Sequence, residues 1–348
     1  MNRPGGTLKD IATALNLSSG TVSRVLNGRG DLAQETREKV FGLAAELNYL
    51  PRRKNMSPKP GVTRLALCIG NPCSATDGQL DPSYVGFHFL SAIQTAAAKA
   101  GIGVMVSFVD AADPDAEIES LPMFRREEAQ GIILAYPFPE RVVERLARIA
   151  PVVSLEHVYP GVSLDVVGPT HALDAMAAVD HLVRLGHREI AYIGDEGAQG
   201  HKLTQGLRHA GYVSGLERCG IPYRQSRVLN VHDKSVSKQD LPGAVGRWVR
   251  DGVTAVVCSI DRHAYLLWDT LPATGIRVPQ DVSLVGIGGI HRVAGQPQLT
   301  TWRCDYAGLA DAAIEALQSR FRQSGNADLY REIRSTFVPG HTVAMAQI

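Results

Sequence analysis

The 348-residue chain lacks most marks of an enzyme, a metal protein or a membrane protein. Its five cysteines, at 68, 73, 219, 258 and 304, are scattered and odd in number. None forms a CxxC pair or stands at a zinc-like distance from histidine, so neither a disulfide framework nor a metal is expected. No apolar run approaches the roughly 20 residues of a membrane span, and no secretory leader opens the sequence. A reducing cytoplasm and no membrane contact are therefore expected. Aromatic residues make up only 6% and the formal net charge is only +1. There is no GxSxG elbow and no P-loop. Gly286-Ile287-Gly288-Gly289 superficially evokes a dinucleotide loop, but His291 occupies the last glycine position of GxGxxG. The expectation is a protein that is not an enzyme and has no cofactor.

The charge that is present is unevenly placed. Residues 1–60 carry ten Lys/Arg against five Asp/Glu, while the rest of the chain carries 26 against 30. A basic head on a slightly acidic body is the distribution expected when only the head meets nucleic acid.

The head reads as three short helices. Thr7 suits an N-cap, its hydroxyl accepting from a free first-turn amide. Leu8, Ile11, Ala12 and Leu15 follow as one apolar helix stripe. Asn16-Leu17 makes the turn and Ser18 caps the second helix. Val22, Val25 and Leu26 then point inward, leaving Ser19, Gly20, Ser23 and Arg24 outward. Gln34 to Leu47 form a third helix whose Val40, Leu43, Ala44 and Leu47 close the core. Spacing alone leaves two readings open. One is an ordinary small helical bundle. The other is a helix-turn-helix that lays its second helix in the DNA major groove.

Four ordered blocks resemble the LacI/GalR family of bacterial transcription regulators. They are Thr7-Leu8-Lys9-Asp10-Ile11-Ala12, Thr21-Val22-Ser23-Arg24-Val25-Leu26-Asn27, Thr36-Arg37-Glu38-Lys39-Val40 and Leu47-Asn48-Tyr49-Leu50-Pro51. The resemblance implies a recognition helix with Ser19, Gly20 and Arg24 facing bases, the arginine able to fork to guanine O6 and N7. Thr21, Ser23, Asn27 and Thr36 would hold phosphates, which orients a reader without reading sequence. Thr7, Ser18 and Arg29 complete the DNA-facing set. Residues 51–62 form a Pro-rich basic linker at the place where the family folds a hinge helix that wedges the minor groove. Pro58 stands where the wedge leucine is expected, and Pro58 and Pro60 shorten any helix. Two readings follow for the linker: a tether whose Arg52, Arg53 and Lys54 touch phosphates, or a hinge with Met56 as a substitute wedge.

Beyond the linker, short apolar runs alternate with helical segments. Examples are Leu65–Ile69, Val104–Val109, Gly131–Ala135, Val152–Leu155, Glu189–Gly194, Ala255–Cys258 and Ser283–Ile287. Such runs argue for parallel sheets covered on both faces, and their number fits two doubly wound subdomains. The fold class is thus α/β, an all-α helix-turn-helix head on a body of two parallel-sheet subdomains. His181 to Gly194, Val278 to Gly286 and Leu299-Thr300-Thr301 match further family blocks, so the resemblance spans nearly the whole chain. It implies a periplasmic-binding-protein-like body. The expected division is a head over 1–50, a hinge over 51–62 and an effector-binding and dimerisation domain over 63–348. Within the last, one subdomain is expected over 63–165 plus 296–330 and the other over 166–295 plus 331–348.

Ligands of such folds sit at the carboxyl ends of strands. Arg208 lies at the family's effector-binding arginine, and Asp261 matches the aspartate of the family's Asn-Asp pair, with Ile260 in place of the asparagine. Gly286-Ile287-Gly288-Gly289 stands where the family has a Gly-aromatic-Asp-Asp run. His171, His232 and His291 are further candidate effector contacts, as are Tyr84 and Phe87. Missing hydroxyl acceptors predict a less hydroxylated or anionic effector, or none. The expected function is a homodimeric regulator, read as a repressor, that binds a pseudo-palindromic operator under control of a small molecule. The alternatives are a solute-binding protein, or a regulator whose degenerate cleft answers to a protein partner.

Overall fold

The computed structural model describes residues 7–26, 34–47, 62–71, 85–110, 129–194, 202–231, 240–290, 296–322 and 328–347. The chain divides into two units, residues 1–167 with 306–331 and residues 168–305 with 332–348.

The first unit begins with helices α1 (Leu8–Ala14), α2 (Ser19–Leu26) and α3 (Gln34–Glu46). It continues with strand β1 (Arg64–Asn71), α4 (Val85–Ala100), β2 (Gly103–Asp110), β3 (Ile132–Ala135), α5 (Glu140–Ile149), β4 (Val152–Leu155) and β5 (Asp165–Pro169). The helix α10 (Tyr306–Arg322) and strand β11 (Tyr330–Ile333) return to it later in the chain. The sheet order is β11-β5-β4-β3-β1-β2, with β1 to β5 in parallel pairs.

The second unit holds α6 (His171–Arg184), β6 (Ile190–Gly194), α7 (Lys202–Arg218), β7 (Val228–Asn230), α8 (Leu241–Arg250), β8 (Ala255–Cys258), α9 (Asp261–Thr270), β9 (Ser283–Gly288), β10 (Thr300–Arg303) and β12 (Thr336–Val338). Its sheet runs β12-β10-β9-β8-β6-β7, parallel except for the antiparallel β10–β12 edge.

Alternate residues of one strand feed opposite faces of the second sheet. Ala255 and Val257 join Ala178, Val179, Leu182 and Tyr212 on one side. Val256 and Cys258 join Val245, Trp248, Ala264 and Leu267 on the other. Both faces are covered by helices, so every residue of the strand is buried. The continuous apolar run in the sequence records that double coverage.

The end of α6 is set by a glycine. Gly186 takes φ +92° just beyond α6. Its amide donates to Val183 O, and the His187 amide donates to Leu182 O. These two bonds close a Schellman motif that uses glycine's tolerance of the left-handed region.

The crossing between units differs from expectation at residues 296–305, which were expected in the first subdomain. They lie in the second, because β10 pairs with β9 and β12 while Trp302 and Leu299 are buried in that unit's two apolar layers. The transfers fall after residues 167, 305 and 331.

Candidate nucleic-acid interface and effector site

Local chemistry builds the three-helix head. The Thr7 hydroxyl accepts the Asp10 amide at 3.3 Å, and Asp10 Oδ2 accepts the Thr7 amide at 2.7 Å. This reciprocal box closes the start of α1. The Thr7 hydroxyl and amide hold the Asp10 carboxyl below its usual range. Asn16 occupies the left-handed region at φ +53°, which asparagine tolerates better than other side chains. With Leu17 N donating to Ala12 O, it turns the chain between α1 and α2. Ser18 Oγ accepts the Thr21 amide at 3.0 Å and pairs with Thr21 Oγ1 at 2.8 Å, capping α2.

Ile11, Ala12, Val22, Val25, Val40 and Phe41 are buried beneath these helices. Leu26, Leu43, Ala44 and Leu47, expected inside, are only half-buried, and Phe41 fills the core in their stead. Above that core, Ser19, Gly20 and Arg24 are exposed on α2, with Ser23 and Thr21 half-covered. Arg24 folds back along its helix, Nε donating to Gly20 O at 3.4 Å. Thr36 lies half-buried in the first turn of α3. Asn27, Arg29, Arg52, Arg53, Lys54 and Met56 lie outside the described residues, as do 51–61 of the linker.

In the second unit, polar side chains gather beyond the ends of the strands. Arg208, in the middle of α7, is only 6% exposed. Its Nε donates to His171 Nδ1 at 3.2 Å, and its Nη1 donates to Ser259 O at 2.7 Å, directly after β8. Accepting at Nδ1 places the imidazole proton of His171 on Nε2. Asp174, one turn into α6, accepts the hydroxyls of Thr170 at 2.8 Å and Ser335 at 2.6 Å. Burial raises its pKa against the pull of those bonds and of Arg208.

Asp261 opens α9 and has no solvent exposure. Its Oδ2 accepts the amides of Gly289 at 2.5 Å and Ile290 at 2.6 Å, and its Oδ1 accepts the Thr301 hydroxyl at 2.7 Å. Burial pushes its pKa up to about 6, and these three donors together with the Arg208 charge keep it from rising further.

The glycine run at the end of β9 is explained by close approaches, of this carboxylate at Gly286 and of Arg303 at Gly289. A Cβ on Gly286 would land on Asp261 Oδ1 and Leu299, and one on Gly289 would land on Arg303. Gly289 also holds φ +85°. The amides of Gly289 and Ile290, which a dinucleotide phosphate would need, face Asp261 instead.

Of the remaining expected effector contacts, Phe87 lies among the described residues. Phe87 is half-buried on α4 in the first unit, its ring 6.4 Å from that of Phe108. Tyr84, His232 and His291 lie outside the described residues. Sequence reasoning missed Asp174, Ser259 and Thr301 as members of the Arg208–Asp261 cluster. For Thr301 a signal existed, since Leu299-Thr300-Thr301 was already a matched block. Among the described residues no group of His, Cys, Asp or Glu is placed to hold a metal, and no helix is long and apolar enough to cross a membrane.

Two family models match. Residues 7–52 match the model of bacterial regulatory proteins, lacI family, and residues 179–343 match a periplasmic binding protein-like domain. The lactose operon repressor of Escherichia coli strain K12 is 27% identical over 317 residues, covering 89% of this chain and 83% of that one. Among solved structures, the transcriptional regulator CelR in complex with cellobiose superposes with a TM-score of 0.64 at 21% identity, over 98% of this chain and 100% of that one. The lac repressor dimer bound to operator and the anti-inducer ONPF superposes with a TM-score of 0.62 at 23% identity, over 98% and 100%.

Proposed function

This chain belongs to the LacI family of bacterial regulatory proteins, and on that premise we propose how its own residues carry the family's work. It is a DNA-binding transcriptional regulator, read as a repressor, that acts as a homodimer on a pseudo-palindromic operator. It works in the cytoplasm and catalyses no reaction. Residues 1–50 form the reader, 51–62 the hinge and 63–348 the effector-binding and dimerisation body.

The observation that carries this reading is the exposed Ser19–Gly20–Arg24 edge of α2, raised on a buried Val22/Val25 core. Arg24 reads a guanine once it leaves Gly20 O. Gly20 offers no side chain, so the reading on its side rests on shape and close approach. Thr21, Ser23 and Thr36 hold phosphates, while Thr7 and Ser18 first fix the helix ends from which their hydroxyls and backbone meet DNA. Asn27, Arg29, Arg52, Arg53 and Lys54 extend the phosphate contacts, and the linker serves as a tether.

In the body, Arg208 and His171 contact the effector. Asp261 braces the 288–290 loop, since its oxygens meet backbone amides and Thr301. Effector binding shifts operator affinity only to the extent that the ligand binds the two conformations unequally.

Selection of bound fragments from random duplex, followed by gel shift across salt, tests the reading. A preferred pseudo-palindrome whose affinity falls steeply with salt is expected, because several phosphates are neutralised. Absence of any preferred duplex at low salt would overturn it.

A further inference from the structure

The guanidinium of Arg208 is a buried cation that spends less than half of its hydrogen-bonding capacity on the described residues. A guanidinium carries five N–H donors. Two serve the protein, one on Nε to His171 and one on Nη1 to Ser259 O. That leaves one donor on Nη1 and two on Nη2, at the end of the fork, uncommitted among the described residues. Arg208 is 94% buried, since only 6% of its surface is exposed. No carboxylate among the described residues lies within 4.0 Å of it.

The acids of the neighbourhood are engaged elsewhere. Asp174 receives Thr170 and Ser335. Asp261 receives Gly289, Ile290 and Thr301. The hydroxyl of Ser259, the residue whose carbonyl holds Nη1, is buried and has no hydrogen-bond partner among the described residues, so it has a proton to give. Among the described residues this half of the site therefore offers N–H and O–H donors, and its two carboxylates are engaged with other partners.

We propose that the effector carries a carboxylate, held end-on by Nη1 and Nη2 of Arg208 and assisted by the Ser259 hydroxyl. The inference rests on the regulator reading above and on Arg208 facing the effector. A carboxylate supplies only acceptors, and its planar pair of oxygens matches the fork. A neutral polyol brings a proton with every oxygen, and the guanidinium can accept none of them. A monoanion also fits better than a phosphate. One guanidinium supplies the positive charge, the imidazole of His171 accepts at Nδ1 and is neutral, and Arg208 already lies close enough to Asp174 and Asp261 to stabilise their ionised forms. A dianion would meet those two acids with a single cation to balance it.

The test titrates the full chain with matched pairs that differ only in the acid group, followed by thermal shift and calorimetry. The pairs are D-gluconate with D-sorbitol, D-glucuronate with D-glucose, L-lactate with propane-1,2-diol, and benzoate with benzyl alcohol, with inorganic phosphate alongside. At least one acid should stabilise the protein and its neutral partner should not. Arg208→Gln should weaken that acid by about a hundredfold and Arg208→Lys by about tenfold, the ammonium keeping the charge without the fork. A cooperative circular-dichroism melt of each variant reports that it is folded, and if the glutamine variant does not fold the lysine variant supplies the readout. The inference is overturned by a neutral partner that binds as well as its acid, by no response to any acid, by phosphate exceeding every acid, or by an acid response unchanged in the folded variants. Absence of operator binding in the wild-type chain would instead bring down the regulator reading. Operator release by a neutral polyol alone would remove only the carboxylate.

Discussion

Asp261 Oδ2 accepts the Gly289 amide at 2.5 Å, joining the start of α9 to the loop that follows β9 across 28 residues of sequence. A carboxylate beside an Arg208 charge looks, in sequence, like half of a ligand site. In the fold it is a brace, fully covered and turned toward the chain's own amides.

Replacement of the brace should be costly. Asp261→Ala removes both acceptors and leaves the Gly289 and Ile290 amides and the Thr301 hydroxyl without them. Bonds to a charged acceptor contribute about 1.5–3 kcal/mol each, so we expect about 3 kcal/mol of lost stability in urea unfolding. A loss below about 0.5 kcal/mol, the scale of an ordinary surface substitution, would show that the carboxylate holds nothing.

The same group makes a pH prediction of definite sign. Its pKa is about 6 in the fold against an ordinary value of 3.8. Between those values the folded state binds more protons than the unfolded, so stability falls as pH rises. The contribution is complete below pH 3.8 and is lost as pH passes 6. A shift of this size corresponds to about 3 kcal/mol. Wild type should lose about that much relative to Asp261→Asn between pH 4 and 7, and parallel stability profiles for the two proteins would refute it.

A second buried charge fastens the returning helix of the first unit. Asp165, on β5, accepts Arg320 Nε at 3.0 Å and Nη2 at 2.7 Å, together with the Leu329 amide at 2.9 Å. Arg320 also reaches Asp328 at 2.6 Å. Arg320→Ala leaves the Asp165 carboxylate buried without its cation, which costs about 3–5 kcal/mol. Arg331→Ala, removing an exposed pair with Glu315, should cost under about 1 kcal/mol. Equal denaturation midpoints for the two variants would contradict this account.

The head offers a smaller effect. Ser18→Ala removes the acceptor of the Thr21 amide and should cost about 1 kcal/mol. Ser18→Gly should cost only a few tenths of a kcal/mol. Circular-dichroism melting of the full chain separates them, and identical melting curves would deny Ser18 its capping role.

Much of this architecture was legible because its causes are local. The Ala255–Cys258 run is uniformly apolar since helices cover both faces of the sheet. Gly186 and Asn16 mark helix ends by backbone conformations few other residues adopt. What stayed hidden depends on approach between distant segments. Nothing beside Asp261 in the sequence reveals that the amides at 289 and 290 reach its oxygens, or that Thr301 does so from β10. The same blindness put residues 296–305 in the wrong unit, because only the pairing of β10 with β9 and β12 fixes their place. Legibility also fell short for the half-buried Leu26, Leu43 and Leu47. Helical spacing marks an apolar stripe without telling which of its members lies deepest, and Phe41 took the interior.

The central claim is that α2 reads DNA through Arg24, and side-by-side operator titrations of wild type, Arg24→Ala and Lys54→Ala test it most directly. With a selected operator and a scrambled duplex of equal length, Arg24→Ala should lose about 1–3 kcal/mol of discrimination while retaining non-specific affinity. Lys54→Ala should weaken both duplexes alike and lower the salt slope by about one. Full discrimination by Arg24→Ala would contradict the account.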